Sequence, residues 1–284
     1  MVNTAESMVG KTCIVTGANA GIGRAITVGL SIMGATVVMV CRDRDRGETA
    51  LNEIKEESGN DALCLFIADL SSQTSIRQFA SEFKTEFTTL DVLINNAGVI
   101  PPKRTETADG LETQFAVNYL AGFLLTNLLL DTLKASAPSR IINISSNSHT
   151  SATINFDDLQ STQSYNPQHV YPQTKLGNIL FTYELARRLD GTQVTANCLH
   201  PGVVATRLLN DYKEASPLVC LMNKFLYGTP ENAARTPLYL ASSPEIEGVT
   251  GKYFEKRRMV KSSRLSYDLT VADQLWQVST NLTA

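Results

Sequence analysis

Residues 12 to 23 read Thr12-Cys13-Ile14-Val15-Thr16-Gly17-Ala18-Asn19-Ala20-Gly21-Ile22-Gly23. The first five form a short apolar run that predicts a buried strand, and apolar residues then recur at helical spacing as far as Met33. A glycine-rich turn between a strand and a helix lets the backbone approach a pyrophosphate, which the free N–H groups of the helix N-terminus attract. The spacing is G-x-x-x-G-x-G rather than the usual G-x-G-x-x-G of dinucleotide-binding turns, so an ordinary strand-to-helix turn stays open as an alternative.

The alternation of strand and helix continues along most of the chain. Further buried strands are predicted at residues 35–41, 63–68, 91–94, 140–145 and 193–199. The longer predicted helices cover about residues 109–136 and 171–189. Continuous apolar strands between amphipathic helices are typical of a parallel sheet covered on both faces. The sequence therefore predicts an α/β fold, with a Rossmann-type doubly wound parallel sheet of about seven strands, in a single domain over residues 1–284.

The region of about residues 207–230 breaks this alternation, because it contains Pro217, Pro230 and scattered apolar residues. We interpret it as a small substrate lid inserted within the domain, since long irregular segments of compact domains are commonly functional. The tail after about residue 256 shows no clear periodicity. We interpret the run Lys256-Arg257-Arg258 as a solvated turn or strand end.

The composition argues against several classes of protein. Hydrophobic residues make up 43% of the 284, and 25 basic against 28 acidic residues give a net charge of -3, so no nucleic-acid partner is expected. Three histidines without clustered carboxylates predict no metal site. The five cysteines contain no CxxC pair, which favours reduced thiols in a cytoplasmic protein. We find no signal peptide, and Leu120 to Leu130 is about half the roughly 20 residues of a membrane span.

The end of the second predicted strand indicates which dinucleotide would bind. Sheets that bind NAD place an acidic residue about 20 positions after the glycines, where it holds the ribose 2′-hydroxyl. Arg42 lies nineteen positions after Gly23, and a guanidinium can clasp a 2′-phosphate. Arg24 would add positive charge. The pattern favours NADP(H), although Asp43 and a solvated position for Arg42 leave the alternative open.

Tyr171 and Lys175 stand four positions apart near the start of a predicted helix, so their side chains share one face. Pro172 favours the first helical turn and places Tyr171 at or near the helix start. A free tyrosine has a pKa near 10, and a neighbouring ammonium lowers that pKa toward a value useful for acid–base catalysis. The pair alone is a weak motif, because many helices contain it.

Six motifs occur in an order that resembles the short-chain dehydrogenase/reductase family over about residues 8–255. They are Thr16 to Gly23, Asn95-Asn96-Ala97-Gly98, Asn118, Ile144-Ser145-Ser146, Tyr171 to Lys175 and Pro201-Gly202. Stretches such as Cys41-Arg42-Asp43 and Leu199-His200-Pro201-Gly202 resemble its retinol dehydrogenase-like branch, as a soluble, bacterial-type relative.

The resemblance implies a role for each matching residue. Tyr171 would exchange a proton with the substrate oxygen, Ser146 would bind that oxygen, and Lys175 would bind the nicotinamide ribose. Asn118 would hold a water that links Lys175 to solvent. With Arg42, the implied cofactor site comprises Gly17, Asn19, Ala20, Gly21, Ile22, Gly23, Arg42, Asp69, Leu70, Asn96, Ala97, Gly98, Tyr171, Lys175, Pro201, Gly202, Val204 and Thr206. His200 is interpreted as structural, and His149 and His169 as loop-surface residues.

We therefore expect an NADP(H)-dependent oxidoreductase that interconverts an alcohol and an aldehyde or ketone. The apolar lid favours a lipophilic substrate, retinoid-like or otherwise. Two alternatives stay open: reduction of a carbon–carbon double bond, as in protochlorophyllide reductase, and a non-catalytic NADP(H)-sensing protein on the same fold. The family also implies a homodimer or homotetramer.

Overall fold

Eight strands form a single sheet in the computed structural model, which describes residues 7–202 and 228–284. The strands are β1 (Thr12–Thr16), β2 (Thr36–Cys41), β3 (Leu63–Ile67), β4 (Val92–Asn95), β5 (Ser139–Ile144), β6 (Val194–His200), β7 (Lys252–Glu255) and β8 (Arg258–Val260). Their order is β3-β2-β1-β4-β5-β6-β7-β8. All neighbours pair in parallel except β7 and β8. The predicted doubly wound Rossmann-type sheet is confirmed, and its strand order reverses between β1 and β4, where such folds bind ligands.

The sheet has one strand more than the seven expected from the sequence. All three residues of β8 are exposed, so no alternation of apolar and polar residues marked them as a strand. Lys256 and Arg257 adopt left-handed backbone conformations, with φ of 50° and 63°, and form the turn between β7 and β8. The basic run therefore lies at a solvated turn, as predicted.

Helices cover both faces of the sheet. They are α1 (Gly21–Ile32), α2 (Arg44–Ser58), α3 (Gln73–Glu86), α4 (Thr113–Phe115), α5 (Ala121–Ala135), α6 (Pro167–Arg188), α7 (Pro230–Ser242) and α8 (Leu269–Leu282). Because strand side chains alternate between faces, Ile14 joins a core with α3, α5, α6 and α8, whereas Cys13 and Val15 join a core with α1, α2 and α7. These two cores confirm the predicted parallel sheet covered by helices on both faces.

The helical stretch expected over about 109–136 begins later, at Thr113. The Glu112 carboxylate caps it by accepting hydrogen bonds from the backbone N–H groups of Gln114 and Phe115. A π-helical turn, Ala116–Leu120, joins α4 to α5. Such turns are rare and frequently mark functional sites.

Among the described residues, one helical stretch, Thr113–Ala135, is long and apolar enough to cross a membrane by length and composition. It is longer than the apolar segment noted in the sequence, with 23 residues and a mean hydropathy of 1.3. However, 67% of its most apolar window is buried within the protein. A central core helix has the same properties, and this helix contributes Phe123 and Leu129 to the core.

Helix α6 begins at Pro167, four residues before the start expected at about residue 171, so Tyr171 lies near the helix start but not at it. Asn166 caps the helix by accepting a hydrogen bond from the backbone N–H of Gln168, and Pro167 occupies its first turn. Pro172 therefore lies inside the helix. Tyr171 consequently lies one turn into the helix.

The C-terminal segment, which the sequence left unplaced, closes the face of the sheet that carries α3 and α6. The Tyr119 hydroxyl forms a 2.8 Å hydrogen bond with the Ser279 hydroxyl of α8. The Gln73 amide donates to the Leu282 carbonyl oxygen at 2.7 Å.

Some predictions fall on residues that the structure does not describe. They concern the predicted lid as far as residue 227, Val204, Thr206 and Cys220. The other four cysteines are free thiols, and Cys13, Cys41 and Cys198 are buried.

Candidate active site

The glycine turn after β1 is closely packed. Gly17 and Gly21 have left-handed backbones, with φ of 67° and 53°. A Cβ atom on Gly23 would lie 2.1 Å from the Gly17 carbonyl oxygen, so only glycine fits at this position. Ala20, the N-cap of α1, provides no side-chain cap, and no acidic residue stands in the first turn. The turn therefore presents uncapped helix N–H groups, which suit the pyrophosphate of a dinucleotide.

The ends of β1 and β4 are joined by hydrogen bonds to Thr16. Its hydroxyl oxygen accepts from the backbone N–H groups of Asn96 and Ala97, at 2.9 and 3.1 Å. The Asn96 amide donates to the Thr16 carbonyl oxygen at 2.8 Å. The glycine turn after β1 and the Asn95–Gly98 segment after β4 are therefore joined at the same edge of the sheet.

Arg42 directly follows β2, and its side chain is exposed. Among residues 7–202 and 228–284 it forms no ion pair. Its neighbour Asp43 caps α2 by accepting a 3.0 Å hydrogen bond from the Arg46 N–H. Arg24, expected to add charge here, instead pairs with two glutamates of α2, Glu53 and Glu57. Arg42 is thus the cation at this position that has no acidic partner among the described residues.

Asp69 and Leu70 follow β3 at the same edge of the sheet. The Asp69 carboxylate accepts hydrogen bonds from both the backbone and the hydroxyl of Ser71. Leu70 lines a cleft at the strand-order reversal. The cleft is lined by Thr16, Leu70, Asn95, Ala97, Val117, Asn118, Ala121, Gly122, Leu125 and Asn178.

Lys175 is almost completely buried beneath this edge, with 3% of its surface exposed. Its ammonium donates a 3.0 Å hydrogen bond to the Ile144 carbonyl oxygen at the end of β5. Burial lowers the pKa of Lys175 to about 8. A Cβ atom on Gly98 would lie 4.0 Å from the ammonium nitrogen, so the small residue lets the loop after β4 reach it.

Burial raises the pKa of Tyr171 to about 12, and a hydrogen bond with the Ser146 side chain opposes the rise. Lys175, expected to lower this pKa, is not among the groups that shift it. The reason is geometric, because the ammonium lies 5.4 Å from the centre of the tyrosine ring and donates to Ile144 rather than to the phenol oxygen.

Ser145 and Ser146 point to different places. The Ser145 hydroxyl is buried and donates a 2.7 Å hydrogen bond to the Lys175 carbonyl oxygen. The Ser146 side chain meets Tyr171. The structure therefore places Ser146, not Ser145, beside the tyrosine, where alternation along a strand permitted only one of them.

Asn118 lies in the π-helical turn and is 4% exposed. Its side chain accepts from the Val99 N–H at 2.7 Å and donates to the Val99 carbonyl oxygen at 2.9 Å. The main-chain carbonyl oxygen of Asn118 accepts a 3.0 Å hydrogen bond from the Asn178 side-chain amide. Asn118 therefore fixes the loop after β4 next to Lys175.

Asn178 was not predicted, although it binds both Asn118 and the Ile144 carbonyl oxygen, at 3.0 and 3.2 Å. It follows Lys175 by three positions and Tyr171 by seven, a spacing that places all three on one helix face. This spacing could have indicated from the sequence that Asn178 lies beside Tyr171 and Lys175.

The histidine predictions had mixed outcomes. His149 was expected at a loop surface, but only 1% of its surface is exposed. His169 is exposed, as expected, but it lies in the first turn of α6 rather than in a loop. His200 is buried at the end of β6, followed by Pro201 and by Gly202, whose φ is 99°. Pro201 and Gly202 thus lie at the same edge of the sheet as the glycine turn.

Comparison with known proteins agrees with this arrangement. The family model described as short chain dehydrogenase matches residues 11–217. Human retinol dehydrogenase 14 is 47% identical over 96% of this chain and 86% of its own length. Human polyprenol dehydrogenase is 41% identical over 96% of this chain and 85% of its own. A crystal structure of an uncharacterized Mycobacterium paratuberculosis protein has a TM-score of 0.80 and 34% identity, over 99% of this chain and 96% of that one.

Three features of the structure agree with these similarities: the glycine turn, the cleft at the strand-order reversal and the Ser146–Tyr171–Lys175 cluster. The chain belongs to the short-chain dehydrogenase family, in its retinol dehydrogenase-like branch, and is an oxidoreductase that acts on CH–OH and C=O groups with a nicotinamide cofactor.

Proposed function

We propose that the protein interconverts an apolar alcohol and the corresponding aldehyde or ketone with NADP(H). The observation that carries this proposal is the meeting of Ser146, Tyr171 and Lys175 at the edge of the sheet that also holds the glycine turn. The nicotinamide supplies or accepts the hydride when it is bound. The residues of the chain orient the reactants and move the proton.

In reduction, Tyr171 donates a proton to the carbonyl oxygen of the substrate, and in oxidation it accepts one from the alcohol. Ser146 donates a hydrogen bond to the same oxygen, which its position beside the tyrosine side chain supports. Developing negative charge on the oxygen is thereby stabilised as the hydride arrives.

Lys175 binds the nicotinamide ribose hydroxyls and keeps positive charge near the phenol. Asn118 holds the water that links Lys175 to solvent. The position of Gly98 supports a shared role for Lys175 and Asn118. A Cβ atom on Gly98 would lie 3.4 Å from the Asn118 side-chain oxygen and 4.0 Å from the Lys175 ammonium. The two residues therefore flank the same small space.

The preference for NADP(H) rests on Arg42 and Asp43. The Asp43 carboxylate caps α2 through one oxygen, which supports a structural role rather than that of the acidic residue that holds a ribose 2′-hydroxyl. Arg42 is exposed and has no acidic partner among the described residues, and a guanidinium suits a 2′-phosphate.

The proposed substrate class is lipophilic, retinoid-like or another apolar carbonyl. Support comes from the names of the relatives, which are dehydrogenases of retinol and of polyprenol. A cytoplasmic location and a homodimer or homotetramer stay predictions, and light scattering after gel filtration tests the second.

The decisive assay follows NADPH oxidation by its absorbance at 340 nm with a panel of aldehydes and ketones that includes retinal and nonanal. NADH is run in parallel, and Tyr171→Phe is the control because it removes only the phenol oxygen. We expect turnover with NADPH that disappears in the variant. Cofactor binding without any turnover that depends on Tyr171 would contradict the proposal and favour a non-catalytic sensor.

A further inference from the structure

The position of Ser146 is set by the turn that follows it. We call residues 146–151 the serine turn; they comprise Ser146 and the 3-10 helix Asn147–Ser151. The Ser146 hydroxyl oxygen accepts a 3.2 Å hydrogen bond from the Ser148 N–H, in addition to its contact with Tyr171. Movement of this turn therefore redirects the hydroxyl that faces the substrate.

His149 is buried at the centre of the serine turn and forms a hydrogen bond through each ring nitrogen. Nδ1 lies 2.7 Å from the Ser146 carbonyl oxygen, and Nε2 lies 3.0 Å from the backbone nitrogen of Ser263. An N–H group only donates, so Nε2 is the acceptor. Nδ1 consequently carries the proton and donates to Ser146.

The second anchor comes from β7. The Tyr253 hydroxyl donates a 2.8 Å hydrogen bond to the Asn147 side-chain oxygen, and its ring packs 5.0 Å from the His149 ring. The Asn147 amide donates to Glu255 at 3.3 Å. The serine turn is thus held from one side by segments that come more than 100 residues later in the chain.

We propose that His149 is a positioning residue, which holds Ser146 through its main-chain carbonyl and is itself anchored by the backbone N–H of Ser263. The proposal rests on the proposed role of Ser146. Imidazole suits this task because its two nitrogens lie on opposite sides of a rigid ring, one as donor and one as acceptor. The Ser146 carbonyl oxygen also accepts from the backbone N–H of His149 at 3.1 Å, so the imidazole is what links this carbonyl to the Ser263 segment. Loss of either imidazole bond breaks that link and lets the serine turn shift, and a misplacement of about 1 Å can cost about 100-fold in rate.

The first test uses His149→Phe, which keeps a ring against Tyr253 and removes both hydrogen bonds, and His149→Gln, which restores a donor and an acceptor. We expect kcat for NADPH-dependent reduction of retinal, or of nonanal where retinal is not turned over, to fall about 10- to 100-fold in His149→Phe. The KM for the carbonyl and the Kd for NADPH stay within about 3-fold, and His149→Gln recovers part of kcat.

Ser263 offers a matched pair that leaves the histidine in place. Its φ of -61° is the value that proline imposes, so Ser263→Pro replaces the N–H donor with a CH₂ group that is directed at His149 Nε2, which breaks the hydrogen bond and displaces the imidazole. Ser263→Ala keeps the N–H. We expect Ser263→Pro to lower kcat and Ser263→Ala to leave it unchanged. In ¹⁵N NMR spectra, the His149 Nε2 signal shifts in the proline variant and not in the alanine variant.

A double-mutant cycle with Ser146→Ala shows whether His149 acts through the serine. We expect His149→Phe to cause no further loss of kcat when Ser146→Ala is already present. Full multiplication of the two losses, or wild-type kcat in both His149→Phe and Ser263→Pro, overturns the inference and leaves the proposed function intact. Wild-type activity in Ser146→Ala overturns the role of Ser146 on which the inference rests, whereas the absence of NADPH-dependent carbonyl reduction in the wild-type protein overturns the proposed function itself. If His149→Phe does not fold, the Ser263 pair decides.

Discussion

The Lys175 ammonium lies 5.4 Å from the centre of the Tyr171 ring, and its hydrogen bond goes to the Ile144 carbonyl oxygen. A buried cation is thus held close to the phenol without direct contact to its oxygen. This arrangement makes Lys175 costly to the folded state and useful to the reaction, and the two effects can be measured separately.

Lys175→Met is expected to stabilise the protein while abolishing activity. Burial lowers the pKa of Lys175 from 10.5 to about 8, which corresponds to a destabilisation of roughly 3 kcal/mol. The Ile144 carbonyl oxygen keeps Asn178 as a donor, so the substitution leaves it paired. We expect a higher Tm at pH 7 by calorimetry, and no gain in the control Lys134→Met, whose side chain is exposed.

The stability gain also has a defined pH dependence. Because the pKa of Lys175 is lower in the folded than in the unfolded protein, its penalty is fully present below about pH 8 and disappears as the pH rises to about 10.5. The Tm difference between Lys175→Met and the wild-type protein should therefore shrink above pH 8. A difference that is constant with pH would contradict the buried-charge explanation.

Reduction is expected to slow as the pH rises through about 8. Lys175 loses its proton there, whereas Tyr171, with a pKa of about 12, remains protonated and able to donate. The measurement is kcat/KM for the carbonyl with NADPH from about pH 6 to about pH 10, which reports groups of the free enzyme. A flat profile across this range would show that Lys175 does not control the rate.

Arg42→Ala should discriminate between the two nicotinamide cofactors. Loss of a guanidinium that binds a 2′-phosphate costs about 1.5–3 kcal/mol, or roughly 10- to 100-fold in the Kd for NADPH. Binding of NADH should change little, and fluorescence titration measures both. The control is Arg44→Ala, an exposed arginine paired with Glu48 on α2. Equal weakening of both cofactors would mean that Arg42 acts on the fold.

Gly23→Ala should weaken cofactor binding and stability together. The added Cβ atom would lie 2.1 Å from the Gly17 carbonyl oxygen and 2.6 Å from the Asn96 amide nitrogen, so the glycine turn must open. We expect a loss of at least about 2 kcal/mol in unfolding free energy. In the control Gly47→Ala, the nearest atoms are the mobile ends of Leu65, and the helix tolerates alanine. A variant with wild-type stability and NADPH affinity would show that the turn is loose.

The sheet and its binding edge were predictable because the parallel strands are buried on both faces and read as continuous apolar runs, as Val37–Cys41 does. The strand β8 was not predictable, because its three residues are exposed and its pairing with β7 depends on the turn that precedes it. The true start of α6 was visible in Asn166-Pro167, a cap followed by proline, but Pro172 gave a competing signal.

The candidate site divides in the same way. Residues joined by local spacing, such as Tyr171 and Lys175, were found from the sequence and its resemblance to a family. The burial of His149 was missed because it lies in a polar stretch and its partner, Ser263, is 114 positions away. The raised pKa of Tyr171 was missed for the same reason, since burial is created by segments distant in sequence.

The dependence of the serine turn on Tyr253 and Ser263 has a consequence for the order in which the enzyme is made. A nascent polypeptide that has emerged from the ribosome as far as β6 already contains the glycine turn, Tyr171 and Lys175, but it lacks Ser263, the partner of His149 Nε2, and Tyr253. We expect strands β1 to β6 and their helices to become structured first during translation, and Ser146 to be held in place only when β7 and Ser263 have been synthesised.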